Sequence, residues 1–101
     1  MRSRLLAIAL VLTGAPQFAA AAEPVATGKM LGSNCAGCHG TLGKSENEYM
    51  PLLAGIDRNH LVQAMKDYRD DKRRSVVMNR VAKGYNDAEI EALADYFSNI
   101  R

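Results

Sequence analysis

The 101-residue sequence contains no tryptophan and only two cysteines and two histidines. It has no apolar run as long as the roughly 20 residues that a membrane-spanning helix needs, and no internal repeat. It also has no run in which apolar and polar residues alternate, the pattern of a half-buried strand. These absences argue against a membrane-spanning protein and against a β-sheet fold. The length suits one small globular domain.

The first 22 residues have the pattern of a secretory signal peptide. Two arginines precede an apolar run that ends at Leu12, and three alanines stand directly before Glu23. We therefore expect residues 1–22 to be removed during export to the periplasm, which leaves residues 23–101 as one domain without stable membrane insertion. An uncleaved membrane anchor is the alternative.

The mature domain is expected to be electrically neutral. The chain has 13 Lys and Arg against 11 Asp and Glu, and the two extra positive charges lie in the signal peptide. This balance argues against a nucleic-acid partner. A core in so short a chain often supplies only about 3–5 kcal/mol, so a further stabilising element is expected.

The remaining sequence predicts an all-α fold with at least three helices. The first spans residues 25–34, with Gly28 and Gly32 permitting close approach by another element. The second is capped by Asp57 or Asn59 and runs to about residue 71. The last begins at a capping box formed by Asn86 and Glu89. Its inward face is expected to contain Ile90, Leu93, Ala94 and Phe97.

Long loops separate the predicted helices. Residues 40–56 are rich in Gly, Asn and Glu and are expected to be irregular. A second connection, from residue 72, contains Met78 and leads to a short segment that Gly84 is expected to end in a left-handed conformation. Long loops in so small a domain suggest that they enclose a ligand.

The strongest functional signal is the pentapeptide Cys35-Ala36-Gly37-Cys38-His39, the C-x-x-C-H pattern of covalent haem attachment. Thiols three positions apart can add to the two vinyl groups on one edge of a porphyrin. The adjacent histidine then supplies an axial ligand to the iron. The motif therefore predicts one covalently bound haem c.

Three other uses of the cysteines are weaker. A thioredoxin-like redox pair needs a βαβ context, which the sequence lacks. A structural zinc site needs four ligands, for which Cys35, Cys38, His39 and His60 are the available set. A plain Cys35–Cys38 disulfide would close a loop too small to add much stability.

The iron of such a haem needs a second axial ligand, unless the site is open. The candidates are Met30, Met50, Met65, Met78 and His60. Met78 is favoured because it lies in a loop far enough from His39 to reach the opposite haem face. Met65 falls on an apolar helix stripe, Met30 is too close to the attachment motif, and His60 is expected to be solvated in a first helical turn. Met50 stays an alternative.

Taken together, these residues resemble class I c-type cytochromes over nearly all of the predicted mature chain. The resemblance is carried by residues 35–40, the Met50-Pro51-Leu52-Leu53-Ala54-Gly55 loop, Met78, and residues 85–97. It implies three or more helices wrapped around the haem. It also implies that Gly28 and Leu31 of the first helix lie against Leu93 and Tyr96 or Phe97 of the last. Pro51 would accept a hydrogen bond from His39 through its carbonyl oxygen.

Residues 77–85 are similar to the haem subunit of flavocytochrome c sulfide dehydrogenase, in which a flavoprotein oxidises sulfide and passes electrons to the cytochrome. This narrower resemblance implies a flavoprotein partner. Such subunits often carry two haem domains, whereas this chain has a single attachment motif, so a free monohaem carrier and a single-haem subunit both stay open. The sequence departs from mitochondrial cytochromes in its short length and lack of tryptophan.

The function expected is one-electron transfer through a haem ligated by His39 and Met78, with redox proteins as partners and no catalysis by the chain itself. The alternative is a haem enzyme or gas-binding cytochrome with an open distal site. Basic residues flank Met78 and acidic residues mark the last helix, which predicts either a solvated loop or a docking face. The basic residues are Lys66, Arg69, Lys72, Arg73, Arg74, Arg80 and Lys83.

Overall fold

The computed structural model describes residues 14–16 and 26–101, and the predicted signal peptide lies outside this part except for residues 14–16. Within the described residues the fold is all-α without strands, as predicted. Its helices are α1 (Gly28–Gly32), α2 (Ala36–His39), α3 (Arg58–Arg69), α4 (Met78–Ala82) and α5 (Asp87–Ser98). None of the helices described has the length and apolar character needed to cross a bilayer.

The first helix differs from the prediction at both ends. Thr27 caps α1 by accepting a hydrogen bond from the Met30 backbone N–H at 3.3 Å, so the helix begins three residues later than predicted. It then continues through a 3₁₀ turn at Ser33–Cys35 into α2. The attachment motif therefore lies inside a helical segment that extends from residue 28 to residue 39.

The caps of α3 and α5 follow from short side chains in the sequence. The Asp57 carboxylate accepts a hydrogen bond from the His60 backbone N–H at 2.7 Å, which selects Asp57 over Asn59 as the cap. α3 ends at Arg69, slightly earlier than predicted, because Asp71 adopts a left-handed conformation with φ of 56°. The capping box of Asn86 and Glu89 is confirmed by reciprocal hydrogen bonds of 2.9 Å.

Two expectations for the connection between α3 and α5 were wrong. Met78 is the first residue of α4 rather than part of a loop. The Ser75 hydroxyl accepts the Asn79 backbone N–H at 2.8 Å and so satisfies a free donor in the first turn. Gly84 has no positive φ, because α4 ends at Ala82 and the chain leaves it through a right-handed turn.

The 40–56 loop is irregular as expected, apart from a 3₁₀ turn at Thr41–Gly43.

The core is built around α5. All four residues predicted for its inward face are buried, and Phe97 is only 1% exposed. α1 crosses α5, and Gly28 makes this crossing close. A Cβ at Gly28 would contact the Ala92 carbonyl oxygen and would lie 2.7 Å from the Tyr96 Cβ. The implied packing of the first helix on the last is therefore present.

Replacing Gly28 with alanine is expected to destabilise the fold by about 1–3 kcal/mol, because the added methyl group overpacks the crossing. Thermal unfolding of the purified protein measures the effect, as a drop of about 4–8 °C per kcal/mol in a domain of this size. Gly37→Ala is the matched control, since a Cβ there meets nothing within 4 Å. Equal melting temperatures for the two variants would contradict the role given to Gly28.

Candidate functional site

A cavity of about 400 Å³ opens beside the helical segment of residues 28–39. Its wall is mostly apolar and includes side chains from α2, α3, α4, α5 and the connecting loops. The predicted site residues that line it are Cys35, Cys38, His39, Pro51 and Met78. The fold thus brings the attachment motif and Met78 to one site, although about 40 residues separate them.

His39 is held in one orientation at this cavity. It is the last residue of α2 and only 7% exposed. Its Nδ1 lies 2.8 Å from the Pro51 carbonyl oxygen, and because a carbonyl can only accept, Nδ1 must donate the hydrogen. This is the contact that the family resemblance implied. The hydrogen bond assigns the proton to Nδ1 and leaves Nε2 as the nitrogen with a free lone pair.

A tight turn holds Pro51 near His39. The turn spans residues 40–43, and three of these four residues have positive φ: Gly40 at 82°, Leu42 at 58° and Gly43 at 69°. The Gly43 carbonyl then accepts backbone hydrogen bonds from Leu53 at 2.9 Å and Ala54 at 3.1 Å. The turn begins directly after His39 and is bonded to residues just after Pro51. It therefore fixes the loop that carries the Pro51 carbonyl.

Gly43→Ala is expected to destabilise the protein by about 1–3 kcal/mol through overpacking, in addition to roughly 1–2 kcal/mol for a left-handed residue. Its Cβ would lie 2.7 Å from the Leu53 Cβ and 2.9 Å from Phe97 Cε1.

Gly55→Ala is the control for Gly43→Ala, because Gly55 has a similar φ of 72° but its nearest neighbour to an added Cβ is 3.4 Å away. Thermal unfolding of both variants separates the steric cost from the conformational cost. If Gly55→Ala lost as much stability as Gly43→Ala, packing of residue 43 against Leu53 and Phe97 would be shown to be unimportant.

The cysteines are both free thiols in this structure, Cys35 half-buried and Cys38 exposed. Burial, and then the charge of Cys38, raise the pKa of Cys35. The described residues contain no strand for a thioredoxin-like fold. They also contain no group of three or more His, Cys, Asp or Glu side chains able to hold a metal ion. The structure therefore gives no support to the disulfide, thioredoxin or zinc alternatives.

The five candidates for a second iron ligand occupy different positions. Met30 is 64% exposed and lies outside the cavity wall, whereas the other four line the cavity. Met65 is buried in the core, as its helical stripe predicted. His60 is exposed in the first turn of α3. Met50 and Met78 are both partly buried, so the cavity alone does not choose between their sulfur atoms.

Tyr68 and Arg73 are among the polar side chains of the cavity wall that sequence reasoning missed. The Arg73 guanidinium lies over the Tyr68 ring, 5.4 Å from its centre, in a cation–π contact. Arg73 belongs to a basic run that the sequence places in a loop. Nothing in that run distinguishes the arginine that turns toward the cavity from its neighbours.

The residues present fit a covalently attached haem. Two thiols, one oriented imidazole and a thioether sulfur surround a mostly apolar cavity whose volume is in the range of cofactor pockets. A second hollow of about 570 Å³ also borders Cys38. Its wall is more polar and contains neither His39 nor Met78, so it does not offer this set of donors.

Comparison with known proteins gives a result that is consistent with a covalently attached haem. A family model described as "Cytochrome c" matches residues 25–101. The cytochrome subunit of sulfide dehydrogenase from Chlorobaculum tepidum is 39% identical over 90 residues, which cover 87% of this chain and 81% of that protein.

Two further relatives are longer than this chain. Cytochrome c4 of Pseudomonas aeruginosa is 31% identical over 96% of this chain, and the thiosulfate dehydrogenase electron acceptor of Thiomonas intermedia is 33% identical over 97% of it. The matches cover 48% and 44% of those two proteins. This chain therefore spans about half the length of each.

Proposed function

The chain belongs to the cytochrome c family, and we propose on this basis that it passes single electrons through a haem held by Cys35, Cys38, His39 and Met78. Like other members, it carries haem c covalently and acts as an electron carrier rather than as an enzyme. When bound, the haem supplies the one-electron chemistry of its iron.

Each proposed site residue has a distinct role. Cys35 and Cys38 would hold the haem through thioether bonds, and the imidazole of His39 would ligate the iron through Nε2. Pro51 acts through His39, because its carbonyl fixes the ring orientation and increases the basicity of the ligand. Met78 would supply the second axial ligand from the start of α4.

The observation that carries this proposal is the shared cavity. Cys35, Cys38, His39 and Met78 all line it, and His39 is already oriented by a 2.8 Å hydrogen bond. Apolar side chains form most of the cavity wall, and thioether ligation would favour the reduced form and a raised potential. Such a site suits an electron carrier, because no bond to iron has to form or break while an electron is transferred.

We further propose that the protein is exported to the periplasm and accepts electrons from a sulfur-compound dehydrogenase. Two relatives are named for such systems, one as a subunit of sulfide dehydrogenase and one as an acceptor for thiosulfate dehydrogenase. A flavoprotein is the partner that the sequence resemblance favours. Co-purification with a flavin-containing chain from native periplasm tests whether that partner forms a stable complex with this chain, and recovery only as a lone carrier would contradict such a complex.

Intact-mass analysis of protein recovered from the periplasm tests the site itself. The expected mass is that of residues 23–101 plus one haem, and neither cysteine should react with iodoacetamide after denaturation. An unmodified polypeptide with two alkylatable thiols would reject the proposal. Peptide mapping of the haem-bearing fragment identifies the attachment residues.

A further inference from the structure

The helix that carries Met78 is too short to be stable alone. In the described part of the chain, α4 has five residues and no side-chain cap at Val77, and isolated helices of this length do not persist in water. Its buried residue is Ala82, whereas Met78 itself is half-buried. The contacts that tie α4 to the rest of the domain therefore decide where the Met78 side chain lies.

The end of α3 provides the anchor for one such contact. The Lys72 backbone N–H donates to the Asp67 carbonyl oxygen at 2.8 Å. The Asp71 N–H donates to the Tyr68 carbonyl oxygen at 3.3 Å, and the two bonds together form a Schellman motif. The left-handed residue of this motif is usually glycine, because a Cβ is unfavourable there. Here it is Asp71, with φ of 56°, which points to a role for its side chain.

Lys83 connects this anchor to α4. It directly follows the last residue of α4, and its Nζ lies 2.8 Å from Oδ2 of Asp71. The same Nζ donates a hydrogen bond to the Arg69 carbonyl oxygen at 2.9 Å. Arg69 ends α3, so its carbonyl has no partner inside the helix, and a cation is favourable at this end of the helix dipole. One ammonium group thus joins the ends of both helices.

Asp71 also contacts the first turn of α4. Hydrogen bonding by Lys83, and to a lesser extent by the Asn79 side chain, lowers the pKa of Asp71. Asn79 directly follows Met78, and its backbone N–H donates to the Ser75 hydroxyl at 2.8 Å. The Asp71 carboxylate therefore binds one residue beside Met78 and one at the opposite end of α4.

The pairing of Lys83 with Asp71 adds little to the overall stability of the domain. Their side chains are 47% and 63% exposed, and ion pairs with this much solvent contact contribute little net free energy. The left-handed backbone of Asp71 also disfavours the folded state relative to a glycine at the same position. A purely stabilising function therefore does not explain the arrangement, whereas a function in placing α4 does.

We propose that Lys83 and Asp71 are positioning residues, which hold α4 so that the Met78 sulfur stays directed into the haem cavity. We call this pair the α4 clamp. The proposal rests on the proposed function, since it takes Met78 as the second axial ligand. Thioether ligation favours the reduced iron, so the oxidised protein would hold this sulfur less tightly. Loosening α4 is therefore expected to release Met78 mainly in the oxidised protein.

Imidazole titration of the oxidised protein tests the α4 clamp. Imidazole competes with the methionine sulfur for the iron, and loss of the absorption band of methionine-ligated iron reports the exchange. Lys83→Ala and Asp71→Gly are each expected to bind imidazole about threefold to tenfold more tightly than the wild type, the scale of losing one exposed hydrogen bond. The two effects should not multiply in the double variant, because both changes remove the same ion pair.

Three controls separate positioning from a general loss of stability. Lys66→Ala removes a lysine that lies 4.0 Å from Glu91 and joins α3 to α5 instead of α4, so its imidazole affinity should equal that of the wild type. Lys83→Arg keeps a cation in the α4 clamp and should restore most of the wild-type affinity. In the reduced state, Asp71→Gly should not lower the midpoint of urea unfolding, because glycine suits the left-handed position.

Hydrogen–deuterium exchange gives a readout that does not depend on the iron ligand. Local opening of a helix exposes its amides to exchange without unfolding the domain. Amides of residues 78–83 should exchange faster in Lys83→Ala than in the wild type, whereas the amides of α1 and α5 should exchange at unchanged rates.

Equal imidazole affinities in the wild type, Lys83→Ala and Asp71→Gly would overturn the proposal. An equal rise in Lys66→Ala would also overturn it, because loss of any ion pair of α3 would then have the same effect. Failure of the proposed function would look different. The wild-type protein itself would then lack the absorption band of methionine-ligated iron, before any residue of the α4 clamp is changed.

Discussion

Replacing Met78 with alanine is expected to lower the reduction potential by on the order of 0.1 V or more, within the roughly 0.8 V that axial ligands span. Loss of the proposed thioether ligand would remove the preference for the reduced iron that methionine confers. The same change should open the site to carbon monoxide. Optical redox titration measures the potential, and mixing the reduced protein with carbon monoxide measures access to the iron.

Met50→Ala and His60→Ala are the matched controls, because both side chains line the same cavity. Neither variant should lose the absorption band of methionine-ligated iron or gain rapid carbon monoxide binding. If Met50→Ala produced these changes and Met78→Ala did not, the ligand would be assigned to Met50. Rapid carbon monoxide binding by the wild type would favour the gas-binding or enzymatic alternative with an open distal site.

Replacing both Cys35 and Cys38 with serine is expected to abolish covalent haem attachment. Serine preserves the size of each side chain but cannot form a thioether. The chain should also lose much of its folded population. The described core contains only eight buried apolar residues, and a domain of this size has about 3–5 kcal/mol from its core alone. Haem retention after denaturation and far-ultraviolet circular dichroism measure the two effects.

The single variants Cys35→Ser and Cys38→Ser should each keep one thioether bond and hold the haem through denaturation. The Gly37→Ala protein controls for changes within the same motif, since that position has no close neighbour. Covalent haem in the double serine variant would show that the attachment residues have been misassigned.

Features encoded by neighbouring residues were predictable from the sequence. The caps at Asp57 and Asn86 depend on side chains bonding to backbone groups three positions away. The buried face of α5 follows from helical spacing, and the attachment motif is itself a local pattern. Each of these signals is complete within a few residues, so tertiary context does not alter it.

Features without a clear local signal, and features that depend on packing, were not predictable in the same way. The helix that begins at Met78 has no side-chain cap at Val77, and the Ser75–Asn79 bond in its first turn does not belong to a recognised capping motif. The left-handed conformation of Leu42 lies in a turn whose hydrogen bonds reach Leu53 and Ala54. The direction of Arg73 toward Tyr68 and the pairing of Lys83 with Asp71 depend on how the loop after α3 and the end of α4 are placed.

The crossing of α1 and α5 at Gly28 also bears on how the chain folds. It joins the first and last helices of the described domain, so it closes a loop that contains nearly all the other elements. Contacts between residues so distant in sequence form slowly, because chain entropy is lost before they are gained. During synthesis this contact must wait for the 12 residues of α5. The haem-attachment segment therefore remains without its packing partner until α5 has been synthesised.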